Sequence, residues 1–192
     1  VFVHPDANGE IAKLLESLRS NPESDHFVGA YSLGKAQRII RILRDLGHDD
    51  EILLHGSMET LCNYYQSRGI ELGRLAKLID AGTRRKSGGA IIIGPPSAIG
   101  TTWVNRMADP VFAYASGWMR IRQRAKRAGV ELPLIVSDHC DWPELRQSII
   151  DSGAGEIWVT HGNEDGLVRW CTMQGIAAKP LRLVGYTDEG DQ

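Results

Sequence analysis

Two histidines, His139 and His161, follow two short apolar runs at corresponding places in the sequence. The runs, residues 132–136 and 156–159, are each typical of a buried β-strand. Between them, an Asp-Trp-Pro-Glu sequence that begins at Asp141 predicts the capped start of a helix. Strand, helix and strand indicate a right-handed crossover between parallel strands, which would bring both histidines to one edge of a sheet.

Two neighbouring imidazoles can bind a metal ion or act together as a general acid and a general base. Asp138 and Asp141 flank His139 and add two carboxylates to the same region. The alternative is that both histidines are ordinary hydrogen-bonded residues at strand ends. Spacing alone leaves this alternative open.

Residues 32–35 and 94–97 are turns that contain glycine and a hydroxyl group, and each follows a predicted strand. The backbone amides at the start of the next helix can hold a phosphate group at such turns. Neither turn has the spacing of a phosphate-binding loop, and the sequence contains no GxGxxG motif. Both turns are equally well explained as ordinary helix starts.

A basic stretch over residues 120–127 contains five arginine or lysine side chains and no acidic one. The whole chain has a net charge of −2, so attraction to a polyanion must be local. The stretch is a candidate track for a nucleic-acid backbone, on which Trp103 and Trp118 could stack bases. A solvated helix face is the alternative.

Alternating strand and helix patterns predict an α/β fold with a largely parallel sheet. The strands are predicted over residues 27–31, 51–55, 90–93, 111–115, 132–136, 156–159 and 179–184. The helices are predicted over residues 10–19, 33–46, 58–68, 71–80 and 164–173, besides the one that follows Asp141. In the helix over 33–46, Leu33 belongs to the apolar stripe, and Lys35 and Arg38 are predicted to face outward.

Composition limits the classes of protein to consider. The chain has 192 residues, of which 42% are hydrophobic, and no apolar run reaches the roughly 18 residues of a membrane span. Three cysteines without paired spacing predict reduced thiols in a cytoplasmic protein, and the net charge of −2 predicts no attraction to membranes. Because the sequence begins Val1-Phe2-Val3 and lacks an initiator methionine, we expect a longer parent chain.

Five stretches together resemble the metallo-β-lactamase/β-CASP nucleases, and in particular the bacterial ligase-associated DNA exonucleases, often labelled mRNA 3′-end processing factors. The stretches are residues 27–38, 94–97, 116–119, 136–139 and 158–162. The resemblance implies a parallel-sheet β-CASP module over residues 1–115. It also implies that residues 116–192 are the C-terminal half of a metallo-β-lactamase αββα fold.

The resemblance implies roles for the two histidines. His139 falls at a motif whose histidine contacts the scissile phosphate and serves as general acid, and His161 falls at a motif whose histidine binds one of two catalytic zinc ions. The HxHxDH signature that supplies most zinc ligands in that family does not occur in this sequence. The zinc site is therefore expected to be incomplete in this chain.

Five further residues are candidates for contacts with nucleic acid, on the basis of their charge or hydroxyl group and of the stretches in which they lie. They are Lys35, Arg38, Ser97, Arg120 and Arg124.

We expect the C-terminal portion of a zinc-dependent exonuclease that hydrolyses phosphodiester bonds of DNA or RNA and that is inactive as this chain alone. Implied partners are the nucleic acid and a DNA ligase and helicase encoded alongside, and an open sheet edge after Ser116 favours self-association. A catalytically silent nucleic-acid-binding or assembly module is the alternative. A phosphosugar- or nucleotide-binding α/β domain also fits the pattern but lacks a phosphate loop.

Overall fold

The structure is a computed structural model that describes residues 2–78, 88–160 and 164–181. The helices are α1 (Ala7–Ser20), α2 (Lys35–Asp45), α3 (Gly56–Ser67), α4 (Arg122–Arg127), α5 (Trp142–Ser152) and α6 (Glu164–Met173). The strands are β1 (His26–Gly29), β2 (Ile52–Leu54), β3 (Leu75–Lys77), β4 (Ile91–Gly94), β5 (Val111–Ala115), β6 (Leu132–Leu134), β7 (Glu156–Val159) and β8 (Ala177–Pro180). Short 3₁₀ helices span Pro96–Ala98, Thr102–Arg106 and Gly117–Arg120.

These elements form two compact units. The first, residues 2–139, contains α1 to α4 and a six-stranded parallel sheet with strand order β3-β2-β4-β1-β5-β6. The second, from Cys140 onward, contains the parallel pair β7 and β8 together with α5 and α6. The predicted α/β fold with a parallel sheet is confirmed. The division into family modules at residue 115 stays a prediction.

The centre of the larger sheet is buried on both faces, as expected of parallel strands with near-continuous apolar sequences. Every residue of β1, β2 and β4 is buried. On one face the strands pack against α1, α2 and α3, through side chains such as Leu14, Ile39 and Met58. The opposite face is covered by 3₁₀ segments, with Ala98 and Met107 against Phe27.

The buried carboxylate of Asp25 ties together the starts of three strands. Its two oxygens accept hydrogen bonds from the backbone N–H groups of Ala90 at 3.1 Å and Ala108 at 2.9 Å. Its backbone carbonyl accepts a third bond from Val111 N at 2.8 Å, at the first residue of β5. Strands β1, β4 and β5 therefore share one polar anchor at their amino ends.

The predicted helix start at Asp141 is confirmed and forms a complete capping box. The Asp141 carboxylate accepts a bond from Glu144 N at 3.0 Å, and the Glu144 carboxylate accepts one from Asp141 N at 2.9 Å. Each side chain thus satisfies a backbone donor that the first turn of α5 leaves free.

The prediction of a helix over residues 71–80 is wrong, because strand β3 occupies the described part of this segment. Leu78 N donates to Leu54 O at 2.9 Å, and Ile52 N donates to Arg74 O at 3.1 Å, so the segment extends the sheet beside β2. Gly73 has a φ of +69°, which interrupts a helix. Sheet pairing over a distance has overridden the local helical spacing.

The prediction that Leu33 is buried and Lys35 faces outward is wrong. Gly34 has a φ of +81°, and α2 begins only after it, so Leu33 lies in the preceding turn and is 68% exposed. Lys35 is the first residue of α2 and is buried. From Ala36 to Leu43 the apolar positions are buried as predicted, whereas Leu46, just beyond the end of α2, is 38% exposed.

The predicted crossover between the strands over 132–136 and 156–159 is also wrong. Strand β6 pairs with β5 in the larger sheet, whereas β7 pairs with β8 in a separate sheet. Pro133 lies within β6, and proline is confined to sheet edges because it lacks a backbone N–H. The two histidines, His139 and His161, were expected to lie close together only because their strands were expected to be adjacent, and that reason no longer holds.

The structure bears on two features that composition suggested, the state of the cysteines and the lack of a long apolar helix. All three cysteines, Cys62, Cys140 and Cys171, are free thiols, as predicted. In the part of the chain that the structure describes, no helix has the length and apolar character that a membrane crossing requires.

Replacement of Asp25 should destabilise the larger unit. We expect D25A to lower the free energy of unfolding by about 3 kcal/mol, because it leaves two backbone N–H groups without an acceptor in the interior. Urea unfolding followed by circular dichroism measures the change. The exposed Glu23 is the matched control, and E23A should change stability by less than about 0.5 kcal/mol. Equal stability of the two variants would remove Asp25 as the anchor.

Candidate functional site

Four of the segments singled out in the sequence lie at one edge of the six-stranded sheet. They follow the carboxyl ends of the parallel strands β1, β4, β5 and β6. The chain leaves β1 toward α2 on one face, and leaves β4 toward the 3₁₀ segments on the other face. Ligands of open α/β sheets bind outside the carboxyl ends where the connections diverge in this way. This edge is therefore the candidate site.

The Lys35 ammonium group lies inside the edge and links two distant parts of the chain. Its Nζ donates to the carbonyl oxygen of Val136 at 3.0 Å and lies 3.3 Å from a carboxylate oxygen of Asp138. The same nitrogen is 5.5 Å from the centre of the Tyr31 ring. A buried charge needs such compensation, so Lys35 holds the segment after β6 in place.

Arg38, one turn further along α2, reinforces the same segment from the surface. Its guanidinium donates to the Ser137 carbonyl at 2.7 Å and approaches the Asp138 carboxylate at 3.4 Å. Both charged side chains of this ion pair are partly exposed, so the pair itself contributes little stability. Lys35 and Arg38 are thus brought to the predicted site, but both are already engaged by the protein.

His139 lies at the end of this segment and is exposed. Its backbone N–H donates to the Ser137 hydroxyl oxygen at 3.1 Å, and its carbonyl accepts from the same hydroxyl at 3.2 Å. The imidazole makes no hydrogen bond to any residue in the described ranges. The backbone is therefore held while the ring can reach a ligand.

Gly117 lets the segment after β5 approach the segment after β6. A Cβ atom at this glycine would lie 3.2 Å from both Cβ and Oγ of Ser137 and 3.3 Å from a ring carbon of His4. These distances are tighter than ordinary van der Waals contact. A side chain at position 117 would push the loop that carries His139 outward.

His161, the predicted zinc ligand, lies outside the described residues. Within the described ranges, no group of three or more histidine, cysteine, aspartate or glutamate side chains could hold a metal ion. A zinc site needs three or four protein ligands. The residues described here do not by themselves fit the zinc centre that the resemblance implies.

The remaining predicted nucleic-acid residues occupy separate places. Ser97 is exposed in the turn after β4, and Arg120 donates to the carbonyl oxygen of Val3. The Arg124 guanidinium lies 3.9 Å from the centre of the Trp118 ring, which is 51% exposed. Arg120 is therefore committed to the protein, whereas the Arg124–Trp118 stack is open to solvent on one side.

The basic stretch forms helix α4, and its charged face is not neutralised by the described residues. The exposed cations of this helix make no ion pair within the described ranges. They are Arg122, Arg124, Lys126 and Arg127. A local positive surface thus exists on a chain whose net charge is negative.

Sequence reasoning missed a group of hydroxyl-bearing side chains at the same edge. Burial raises the pKa of Tyr114, the neighbouring Tyr31 side chain raises it further, and Ser116 lowers it. In the sheet register, Tyr114 stands opposite Gly29, two residues before Tyr31. The pairing of β1 with β5 brings these residues together, and no local sequence pattern predicts that pairing.

Comparison with known proteins adds no assignment, since no protein-family model and no curated protein matches the chain. The geometry of the site and the motif resemblance are therefore the basis for a proposed function.

Removal of the Lys35 charge should loosen the loop that carries His139. We expect K35M to lower the free energy of unfolding by about 2 kcal/mol, because it leaves the Val136 carbonyl without its charged donor. The matched control R38M removes a partly exposed cation from the same helix and should cost less than about 1 kcal/mol.

Amide hydrogen exchange resolves where the change occurs. We expect K35M to accelerate exchange over residues 136–139 more than over β2. Uniform acceleration across the sheet would contradict a positioning role for Lys35.

Proposed function

We propose that this chain is a portion of a zinc-dependent nuclease of the metallo-β-lactamase/β-CASP type, which hydrolyses phosphodiester bonds of DNA or RNA. In this proposal the described residues bind the nucleic acid and position His139 against the scissile phosphate. Residues outside the described ranges would have to hold the zinc ions, which would supply an activated water and neutralise phosphate charge.

One observation carries the proposal: Lys35 and Arg38 bind the segment Val136–Asp138 at the carboxyl edge of the sheet. These contacts join two motif stretches that lie about a hundred residues apart in sequence. A purely structural α/β domain has no need of a buried lysine at this edge, where catalytic loops of parallel sheets lie. The contacts leave the His139 ring exposed beside the edge.

The positive surface supports nucleic acid as the substrate class. Helix α4 presents un-neutralised cations, and the exposed Trp118 ring beside Arg124 offers a stacking platform. Arginine and aromatic side chains together bind single strands without sequence preference, the first at phosphates and the second at bases. This surface also explains how a chain of negative net charge would attract a polyanion.

His139 is the candidate proton donor of the chain. Histidine is the side chain that most often transfers a proton to or from a reacting group in catalysis. The Ser137 hydroxyl fixes its backbone from both sides, which leaves rotation of the side chain as its remaining freedom. In this proposal Lys35 acts on catalysis only through the loop it holds.

The second candidate is a nucleic-acid-binding module without hydrolytic activity. The Trp118–Arg124 stack and the charged face of α4 favour it, because neither needs a metal ion to bind a strand.

Binding to a strand should depend steeply on salt and on Arg124. We expect the chain to bind single-stranded oligonucleotides in the absence of metal, and R124Q to reduce the steepness of the salt dependence by about 0.7, the value of one phosphate contact. Fluorescence anisotropy over a series of salt concentrations measures both quantities.

Arg68 provides the matched control, because its guanidinium lies 5.2 Å from the centre of the exposed Tyr64 ring on α3. R68Q removes an equal charge from a similar stack and should leave the salt dependence unchanged. An equal effect of both variants would assign the binding to overall charge rather than to α4.

Metal analysis and a cleavage assay separate the two candidate functions. We expect the isolated chain to purify with less than one zinc ion per chain and to leave single-stranded DNA and RNA intact. Addition of the upstream sequence of the parent protein should restore zinc and cleavage, and H139A should then abolish cleavage without weakening strand binding. Chelator-sensitive cleavage by the isolated chain would contradict the assignment of an incomplete centre, and restored zinc without cleavage would favour the binding module.

A further inference from the structure

A cleft of about 780 Å³ opens on the face of the larger sheet opposite α1, α2 and α3. One wall is the segment from Pro96 to Asn105, which follows β4, and the other is the end of α4 from Arg127 to Gly129. Phe112 and Tyr114 of β5 form the floor. The cleft is distinct from the contacts that hold the His139 loop.

Among the residues that the structure describes, no long helix covers this face of β5, which leaves the cleft open. Two small hydrophobic clusters lie on either side, one around Phe27 and Met107 and the other around Met119 and Ala125. Phe112 packs against the first cluster and Tyr114 against the second, and both side chains are only half-buried. The floor is thus aromatic, rigidly supported and partly open to solvent.

Two polar side chains at the rim are free to bind a ligand. Asn105 and Arg127 line the cleft and are exposed, and their side chains make no hydrogen bond or ion pair to any residue in the described ranges. Near them, Gly100 and Gly129 have nothing within 4 Å of the position of a Cβ atom, so the entrance is unobstructed. An amide and a guanidinium above an aromatic floor can bind the edges of a flat, polar ring.

We propose that this cleft binds one base of a single-stranded nucleic acid whose backbone follows the charged face of α4. The inference rests on the proposed function and deepens it, since it assigns a base-binding site and a preference for single strands. Four of the six residues of α4 are cations, and Arg127 belongs both to that face and to the cleft. A base in a duplex would first have to leave its stack, which costs a few kcal/mol and favours single strands.

The charge of the surroundings favours this occupant over others. An uncharged apolar ligand would use the floor but gain nothing from the cations that adjoin the cleft. A negatively charged nucleotide strand uses the floor, the rim and the helix together. Cleft and helix are adjacent, so neighbouring nucleotides of one strand can occupy them.

A comparison of two strands isolates the contribution of the base. The probes are a short fluorescent single strand of thymidines and a strand of equal length whose nucleotides are abasic, so that both carry the same phosphates. We expect N105A to weaken binding of the thymidine strand about threefold to tenfold, the value of one hydrogen bond, and to leave the abasic strand unaffected. Q123A, which removes an exposed amide from α4 outside the cleft, should change neither.

Nuclear magnetic resonance provides a second measurement on the unmodified chain. Titration with thymidine monophosphate should shift the amide signals of Gly100 and Gly129, which lie at the cleft, and leave those of Gly47 and Gly69 in place. This readout does not depend on any substitution being tolerated.

The outcomes separate this inference from the proposed function. Binding of both strands with equal affinity, together with an N105A variant that behaves like the unmodified chain, would overturn the base site but keep the charged surface. An uncharged aromatic compound is titrated in the same way; if it shifts the amide signals of Gly100 and Gly129 as much as the nucleotide does, the cleft binds apolar ligands and the inference is overturned. Failure of both strands to bind at low salt would contradict the proposed nucleic-acid function itself.

Discussion

Strand β1 is paired on both sides and buried on both faces, and the rest of the larger unit depends on this constraint. Its pairing with β4 and β5 sets the register of the central sheet, and Asp25 at its start fixes the amino ends of all three strands. At its other end, the chain passes through Gly34 into α2 within a few residues. The position of Lys35, and through it that of the loop after β6, therefore follows from the placement of a single strand.

The molecule uses its cations in two different ways. Lys35 is buried and compensated by a carbonyl, a carboxylate and an aromatic ring, so its charge stabilises an internal arrangement. The cations of α4 lie on the surface without an ion pair to the described residues and are available to external anions. The first kind gives the candidate site its shape, and the second gives it a long-range attraction that salt can screen.

Local patterns in the sequence predicted most of the elements but only part of their arrangement. The strands around Phe27, Ile92 and Ala113 are largely apolar, and the capping residues around Asp141 define a helix start, so each was visible within a short window. β3 was mistaken for a helix because its identity comes from hydrogen bonds to β2, more than twenty residues away.

The same distinction applies to the candidate site. The segments at the carboxyl edge followed from the alternation of strands and helices. The burial of Lys35 and the proximity of Tyr31 to Tyr114 did not, because both require knowledge of which strands are neighbours. The expected pairing of the strands that precede His139 and His161 failed for this reason: β6 and β7 belong to different sheets.

Pro133 hinders the addition of a further strand at one edge of the larger sheet. The carbonyl of Leu134 accepts a bond from Ser116, which places the backbone of Leu134 toward β5 and that of the neighbouring Pro133 toward the outer side. A seventh strand added at that outer side would need a hydrogen bond from the backbone of residue 133, and proline has no N–H to donate. An added strand would therefore form a less complete hydrogen-bond ladder beside β6 than beside β3, which contains no proline.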